Sequence, residues 1–328
     1  MSPQPRAARM SRIDRPAAPS LRAKDFLSVL DLDHAELEGV LDLASSMKRD
    51  RAAGRATTPV LAHKHVALLF EKPSLRTRCT FEIAIRELGG DVVLLAPEFA
   101  AGVREPLEDV ARNLERWVTA LVIRTFAQER AATLANAALH LHVINALTNE
   151  QHPCQALADA LTLRERWGDC RGRTIAFVGD GNNVATSLAH VACMLGINVH
   201  VASPVGYELP KNVVEEAAAV SQHGAEVRLF TDPREAVAGV DAVYTDVWTS
   251  MGEEAETAER RAIFAPYQVN AELMACAVPD AAFMHCLPAH RGEEVTAEVI
   301  ESPASIVFDQ AENRLHAQKA LLLMLLGP

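Results

Sequence analysis

Five residues in a row, Ser74, Leu75, Arg76, Thr77 and Arg78, stand between a short apolar run, Val66-Ala67-Leu68-Leu69-Phe70, and a stretch from Thr80 to Leu88. The upstream run reads as a buried strand, and the downstream stretch repeats its apolar residues at helical spacing and stops at Gly89-Gly90. Ser74 to Thr77 therefore fall at a helix N-terminus, where unpaired N–H groups and the positive end of the helix dipole favour an anion. Two guanidinium groups in the same turn add planar, paired donors that match phosphate oxygens. The turn is equipped to grip a phosphate. A serine-capped helix start with arginines in surface ion pairs would leave the same local pattern, so the segment alone does not decide.

Four further polar clusters follow. His152 and Gln155 stand three apart at the start of a helix with Pro153 at a favourable first-turn position, so their side chains are neighbours on one face. They read either as a pair of donors to a carbonyl or as an interdomain His and a surface Gln bonded to backbone. Gly179-Asp180-Gly181-Asn182-Asn183 follows a strand and opens a helix, which invites a dinucleotide site. Against that, Ala185 and Thr186 occupy the stretch where a third glycine belongs, and no clear acidic ribose partner ends the next strand. Asp246-Val247-Trp248-Thr249-Ser250-Met251-Gly252 places a carboxylate at a strand end, suited to an ammonium group, with a glycine hinge in the loop; an ordinary capped turn is the plainer alternative. In His285-Cys286-Leu287-Pro288 the cysteine could be a nucleophile, yet a regular strand would turn His285 to the opposite side.

Taken together and in order, these segments resemble the aspartate/ornithine transcarbamoylase family, and within it the ornithine branch, over roughly Leu21 to the C-terminus. Ser74 to Arg78 is similar to the family's Ser-Thr-Arg-Thr-Arg signature with Leu75 in place of the first Thr, and His152 to Gln155 matches a second signature. The other three clusters separate the ornithine branch from the aspartate one. The resemblance implies an anabolic-type enzyme of arginine biosynthesis that moves the carbamoyl group of carbamoyl phosphate onto the δ-amine of L-ornithine, giving L-citrulline and phosphate without a cofactor or metal. It assigns carbamoyl phosphate to Ser74, Leu75, Arg76, Thr77, Arg104, Arg124, His152, Gln155, Cys286, Leu287 and Arg314, and ornithine to Asn183, Asp246, Ser250 and Met251. Arg76, Arg124, His152, Gln155 and Arg314 would hold the carbamoyl oxygen as charge develops, with Asp246 and Cys286 completing the catalytic set. It also implies a homotrimer whose sites lie at subunit interfaces. One departure stands out: the family's loop glutamine, lent to the neighbouring subunit, aligns with Ala100, while Arg104 keeps the basic residue of that loop. A transcarbamoylase for putrescine or N-acetylornithine, or a non-catalytic binding protein on the same fold, are the alternatives.

Composition sets wider bounds. With 328 residues, 49% hydrophobic and 23% charged, the chain can bury two ordinary cores. A balance of 32 Lys+Arg against 43 Asp+Glu, formally −11, disfavours a nucleic-acid partner. The apolar run Ala320 to Leu326 is far shorter than the roughly 20 residues that span a bilayer, so no membrane anchor is expected. Prolines interrupt the arginine-bearing first twenty residues, which read as a flexible tail on a cytoplasmic protein. Six scattered cysteines with no C-x-x-C pair suggest neither a disulfide framework nor a zinc site.

The elements that must carry these residues alternate. Val66–Phe70, Asp91–Leu95, Ala120–Ile123 and His142–Leu147 read as strands, with helices between them marked by Leu107, Val110, Leu114 and Trp117 and by Leu134 and Ala138. A long helix from about His152 to Trp167 links to a second series of strands at 174–178, 199–202, 226–230, 242–245, 282–285 and 305–308. The fold class expected is α/β, two doubly wound parallel-sheet domains joined by interdomain helices, with the C-terminal helix returning to the first domain. The expected division is a tail at 1–20, a carbamoyl-phosphate domain at 21–152, a linking helix at 153–168, an ornithine domain at 169–310 and the closing helix at 311–328. Arg78 and Glu82, four apart, are expected to form a structural ion pair.

Overall fold

The computed structural model describes residues 20–97, 104–249 and 257–327. The first half runs α1 (His34–Ala52), β1 (His65–Phe70), α2 (Arg76–Glu87), β2 (Asp91–Leu95), α3 (Leu107–Leu114), β3 (Ala120–Arg124), α4 (Gln128–Ala137) and β4 (His142–Leu147). After the linking helix α5 (Pro153–Trp167) come β5 (Thr174–Val178), α6 (Asn183–Met194), β6 (Asn198–Ala202), α7 (Lys211–Val220), β7 (Val227–Phe230) and α8 (Pro233–Val237). The chain continues through β8 (Ala242–Thr245), α9 (Thr257–Phe264), α10 (Ala271–Met274), β9 (Ala282–His285) and α11 (Ala297–Ile300), and closes with α12 (Val307–Leu326).

The strands form two sheets, ordered β2-β1-β3-β4 and β7-β6-β5-β8-β9, and every pairing is parallel. Apolar runs such as Ala120-Leu121-Val122-Ile123 and Ile175-Ala176-Phe177-Val178 are buried throughout, as strands covered by helices on both faces must be. In each sheet the chain starts near the middle, builds to one side and then crosses to the other. The crevices lie outside β1/β3 and β5/β8, at the carboxyl ends where open parallel sheets bind ligands. The turn at 71–75, Arg124, the loop at 179–182 and Asp246 all open from these four strand ends.

Helix α12 joins the halves. It packs on α5, α1 and α2, and its buried Lys319 reaches Glu87 Oε2 at 2.6 Å and Thr57 Oγ1 at 2.7 Å. Ser20 apart, the expected N-terminal tail lies outside the described residues.

Three readings need correction. The run 305–308 forms no strand: Ser305 makes one isolated bridge to Phe283, and the closing helix already begins at Val307 rather than near 311. Only Val307 of this run is buried, in the core of the second sheet, while Phe308 is 69% exposed, so the run lacks the two buried faces of a parallel strand. Trp117 lies beyond the end of α3 and is 68% exposed, so it does not belong to that helix's apolar stripe. Helix α1 had no counterpart in the sequence reading, although Asp33 and Glu36 form a capping box at its start. The Arg78–Glu82 pair is present at 2.9 Å on the surface of α2.

Gly181 is needed for close approach rather than for a turn. A Cβ there would lie 2.3 Å from the backbone nitrogen of Leu209, and Gly181 N–H donates to Tyr207 O at 2.8 Å. Backbone on both sides leaves little room to yield, so Gly181→Ala should destabilise the fold by about 3 kcal/mol, read as a lower denaturant midpoint. The same contact answers the dinucleotide reading, because the chain's own 207–209 segment fills the space over the glycine.

Candidate active site

The helix start that carries Arg76 has no side-chain cap. Leu75 occupies the capping position, and no acidic residue lies in the first turn of α2. Ser74 is therefore not used as a cap; its hydroxyl accepts from Arg124 Nη1 at 3.4 Å. From the far end of the chain, Arg314 on α12 donates through Nη2 to Thr77 Oγ1. Three guanidinium groups converge here. Burial, followed by neighbouring Arg314 and Arg76, pushes Arg124 down to about 10; burial likewise lowers Arg314 and Arg76. All three stay protonated at neutral pH. Crowded, partly desolvated like charges are unfavourable on their own, and an arrangement of this kind is stabilised by an anion.

His152 caps the start of α5 by position, and its backbone N–H donates to Ser187 Oγ at 2.8 Å, which ties the linking helix to α6. Its imidazole is pushed well below the usual range by burial and then by Arg314, Arg124 and Arg76, so it is neutral at physiological pH. Its Nδ1 has no hydrogen-bond partner, and neither has Arg314 Nε. Gln155 sits one turn on, with Nε2 donating to Asp159 Oδ1 at 2.8 Å and Oε1 buried without a partner. The sequence reading gave Gln155 a share of the carbamoyl oxygen; the atom it leaves open is instead an acceptor, which matches a donor.

The second sheet supplies a carboxylate. Asp246, just past β8, accepts the Cys286 thiol through Oδ1 at 2.9 Å and Asn182 Nδ2 through Oδ2 at 2.9 Å. Asn182 also caps α6, accepting from Val184 and Ala185 N–H. Burial, and then Asp246, raises the Cys286 thiol well above its usual range. It is a hydrogen-bond donor, not a thiolate nucleophile. His285 does not face fully away, since a ring nitrogen lies within 4.8 Å of Cys286 Sγ and of an Asp246 oxygen, but its nitrogens are engaged elsewhere: Nδ1 accepts from Leu287 N–H at 2.8 Å and Nε2 meets Glu294 Oε1 at 3.2 Å. Iodoacetamide at neutral pH should therefore label exposed Cys79 at least about tenfold faster than Cys286, as peptide mass mapping over time would show.

Comparison with known proteins bears on this geometry. The family model described as the carbamoyl-P binding domain of aspartate/ornithine carbamoyltransferase matches residues 24–165, and its Asp/Orn binding domain matches residues 171–325. The chain belongs to the aspartate/ornithine carbamoyltransferase family. An ornithine carbamoyltransferase of Acidothermus cellulolyticus is 53% identical over 92% of this chain and 96% of its own. One from Geobacillus stearothermophilus is 49% identical over 94% and 99%. The solved ornithine carbamoyltransferase of Pyrococcus furiosus superimposes with a TM-score of 0.89 at 45% identity, covering 94% of this chain and 97% of that one.

In this carbamoyltransferase the fold brings Ser74, Arg76, Thr77, Arg124, His152, Asp246, Cys286 and Arg314 together, as their hydrogen bonds and mutual electrostatic effects show, with Gln155 one turn along α5 from His152. Leu75 is 74% exposed, and Leu287 adjoins Cys286. Asn183 begins α6 and donates to Thr148 O at 2.5 Å. Arg104 lies on the surface, while Ala100, Ser250 and Met251 lie outside the described residues. Sequence reasoning missed Asn182, whose position just before a helix was the available signal. In the turn at 71–75, Lys72 carries a buried ammonium 2.9 Å from Asn149 Oδ1 and 4.6 Å above the Phe126 ring.

Proposed function

We propose that the chain transfers the carbamoyl group of carbamoyl phosphate to the δ-amine of L-ornithine. The neutral amine attacks the carbonyl carbon, a tetrahedral oxyanion forms, and the C–O bond to phosphate breaks; the amine proton is lost and citrulline and phosphate leave. The observation that carries this is the convergence of Arg76, Arg124 and Arg314 on an uncapped helix start, across the cleft from the Asp246 carboxylate. Backbone N–H groups at Ser74 to Thr77, with Arg76 and Arg104, hold the phosphate. Arg124, Arg314 and neutral His152 meet the carbonyl oxygen, an electrostatic contribution of about 3 kcal/mol for each well-placed donor. Gln155 and the Leu287 carbonyl bind the carbamoyl group, Asn183, Asp246, Ser250 and Met251 orient ornithine, and Cys286 stands beside the attacking amine. Carbamoyl phosphate arrives activated as a mixed anhydride, so this chemistry needs no redox cofactor or metal.

The same reading takes residues 21–152 and 169–310 as the two substrate domains, joined by the helix at 153–168. It includes a cytoplasmic location, in keeping with free cysteines throughout. It also includes a homotrimer. Leu94, exposed on the edge strand β2, and Leu75, exposed at the start of α2, are apolar side chains that a second copy would cover. Sedimentation equilibrium should give three times the chain mass; an active monomer would remove the trimer from the account. For the reaction, phosphate and citrulline should appear one for one and only when ornithine is present. Phosphate release without citrulline would overturn it.

A further inference from the structure

Asp159 is a carboxylate with no exposure, one turn along α5 from Gln155. Its three hydrogen-bond donors are neutral. Oδ1 accepts from Gln155 Nε2 at 2.8 Å and from Gln310 Nε2 at 2.7 Å, and Oδ2 accepts from the Tyr244 hydroxyl at 3.1 Å. Gln310, on α12, also donates to the Tyr244 hydroxyl at 2.9 Å and accepts the backbone N–H of His285, next to Cys286, at 3.0 Å. Four elements, α5, α12, β8 and β9, thus meet at one buried group.

We propose that Asp159 is a positioning residue that fixes the amide of Gln155 with its carbonyl oxygen, not its NH2, facing the carbamoyl nitrogen of the substrate. This rests on the carbamoyl-transfer reading above. A carboxamide has two ends of nearly the same shape, and only its partners decide which way it points. An ionised carboxylate has no proton to give, so it holds Gln155 Nε2 and leaves Oε1 as the buried acceptor without a partner. The cleft thereby sorts the two ends of a planar carbamoyl group. Arg124, Arg314 and His152 accommodate the oxygen, and Gln155 Oε1 accepts from the nitrogen.

Burial raises Asp159 to about 6, opposed by the bonds from Gln155, Gln310 and Tyr244. The folded chain keeps this proton to higher pH than the unfolded chain does, so the group's contribution to stability falls as pH rises from about 4 towards 6. A carboxylate retained at neutral pH against that penalty fits a role in the site better than a role in the core.

The test compares binding of two stable phosphonates by calorimetry: phosphonoacetamide, which carries the NH2, and 2-oxopropylphosphonate, which has a methyl in its place. The wild-type chain should prefer the amide by about tenfold or more in Kd. In Asp159→Leu, close to the native shape, and in the smaller Asp159→Ser, the preference should fall to about threefold or less, because the Gln155 amide is no longer oriented. Tyr244→Phe, which leaves the Gln155–Asp159 bond in place, should keep the wild-type ratio. A merely structural Asp159 would weaken both ligands alike. An unchanged ratio in whichever Asp159 variant folds, or a wild type that binds both phosphonates equally, would overturn the inference. A wild type that binds neither would overturn the carbamoyl-phosphate reading beneath it.

Discussion

Replacing Arg76 by alanine should lower kcat by about three orders of magnitude and leave the melting temperature unchanged or slightly raised. Arg76 is the first residue of α2, half-buried, in a cluster with Arg124 and Arg314. A positive charge at a helix N-terminus opposes the dipole, and a third guanidinium among two others adds repulsion, which with its burial offsets the attraction of Cys286 and Asp246 for it in the empty site. In the transition state the balance reverses. Negative charge then spreads over the carbonyl and phosphate oxygens, and a donor fixed in a partly dry cleft is worth far more than in water. Steady-state kinetics and a thermal melt on the same preparation test both halves. Activity within about tenfold of wild type would remove Arg76 from the reaction.

The second large effect is expected at Asp246. Asp246→Asn should lower kcat/KM for ornithine by about two to three orders of magnitude, because an ammonium group that loses its buried carboxylate is left unpaired. Carbamoyl phosphate binding should survive, since the phosphate corner belongs to the other sheet. A separate signature comes from Cys286. Burial is the first cause of its raised thiol and Asp246 the next, so removing the carboxylate should bring the thiol partway down and speed its alkylation. Equal loss of both substrates would mean that Asp246 supports the cleft as a whole rather than the amine.

The parts of the site legible in the sequence are those built within one strand–turn–helix unit. Ser74 to Thr77 could be placed because an apolar run of five and a helical repeat bracket them, and Asp246 and Cys286 because each ends a strand. Arg314 was assigned through family resemblance alone; its bond to Thr77 spans more than two hundred residues, beyond any local period. Gln310 and Tyr244 were invisible for the same reason, since only the packing of α12 between the domains brings them to Asp159. Asp159 itself stood at helical spacing from Gln155, and that signal went unread. The run 305–308 shows the converse: a locally convincing strand pattern gave way to the first turn of the closing helix, which buries only Val307 of the four.

The most direct test of the central claim is the initial rate of citrulline formation from carbamoyl phosphate by the purified chain. Putrescine, N-acetylornithine and aspartate should be assayed in parallel for their own carbamoylated products. The account predicts a kcat/KM for ornithine at least about a hundredfold above that for any other amine. A preference for a different amine would contradict the role given to Asp246 and its loop, and no carbamoyl transfer to any of them would contradict the account as a whole.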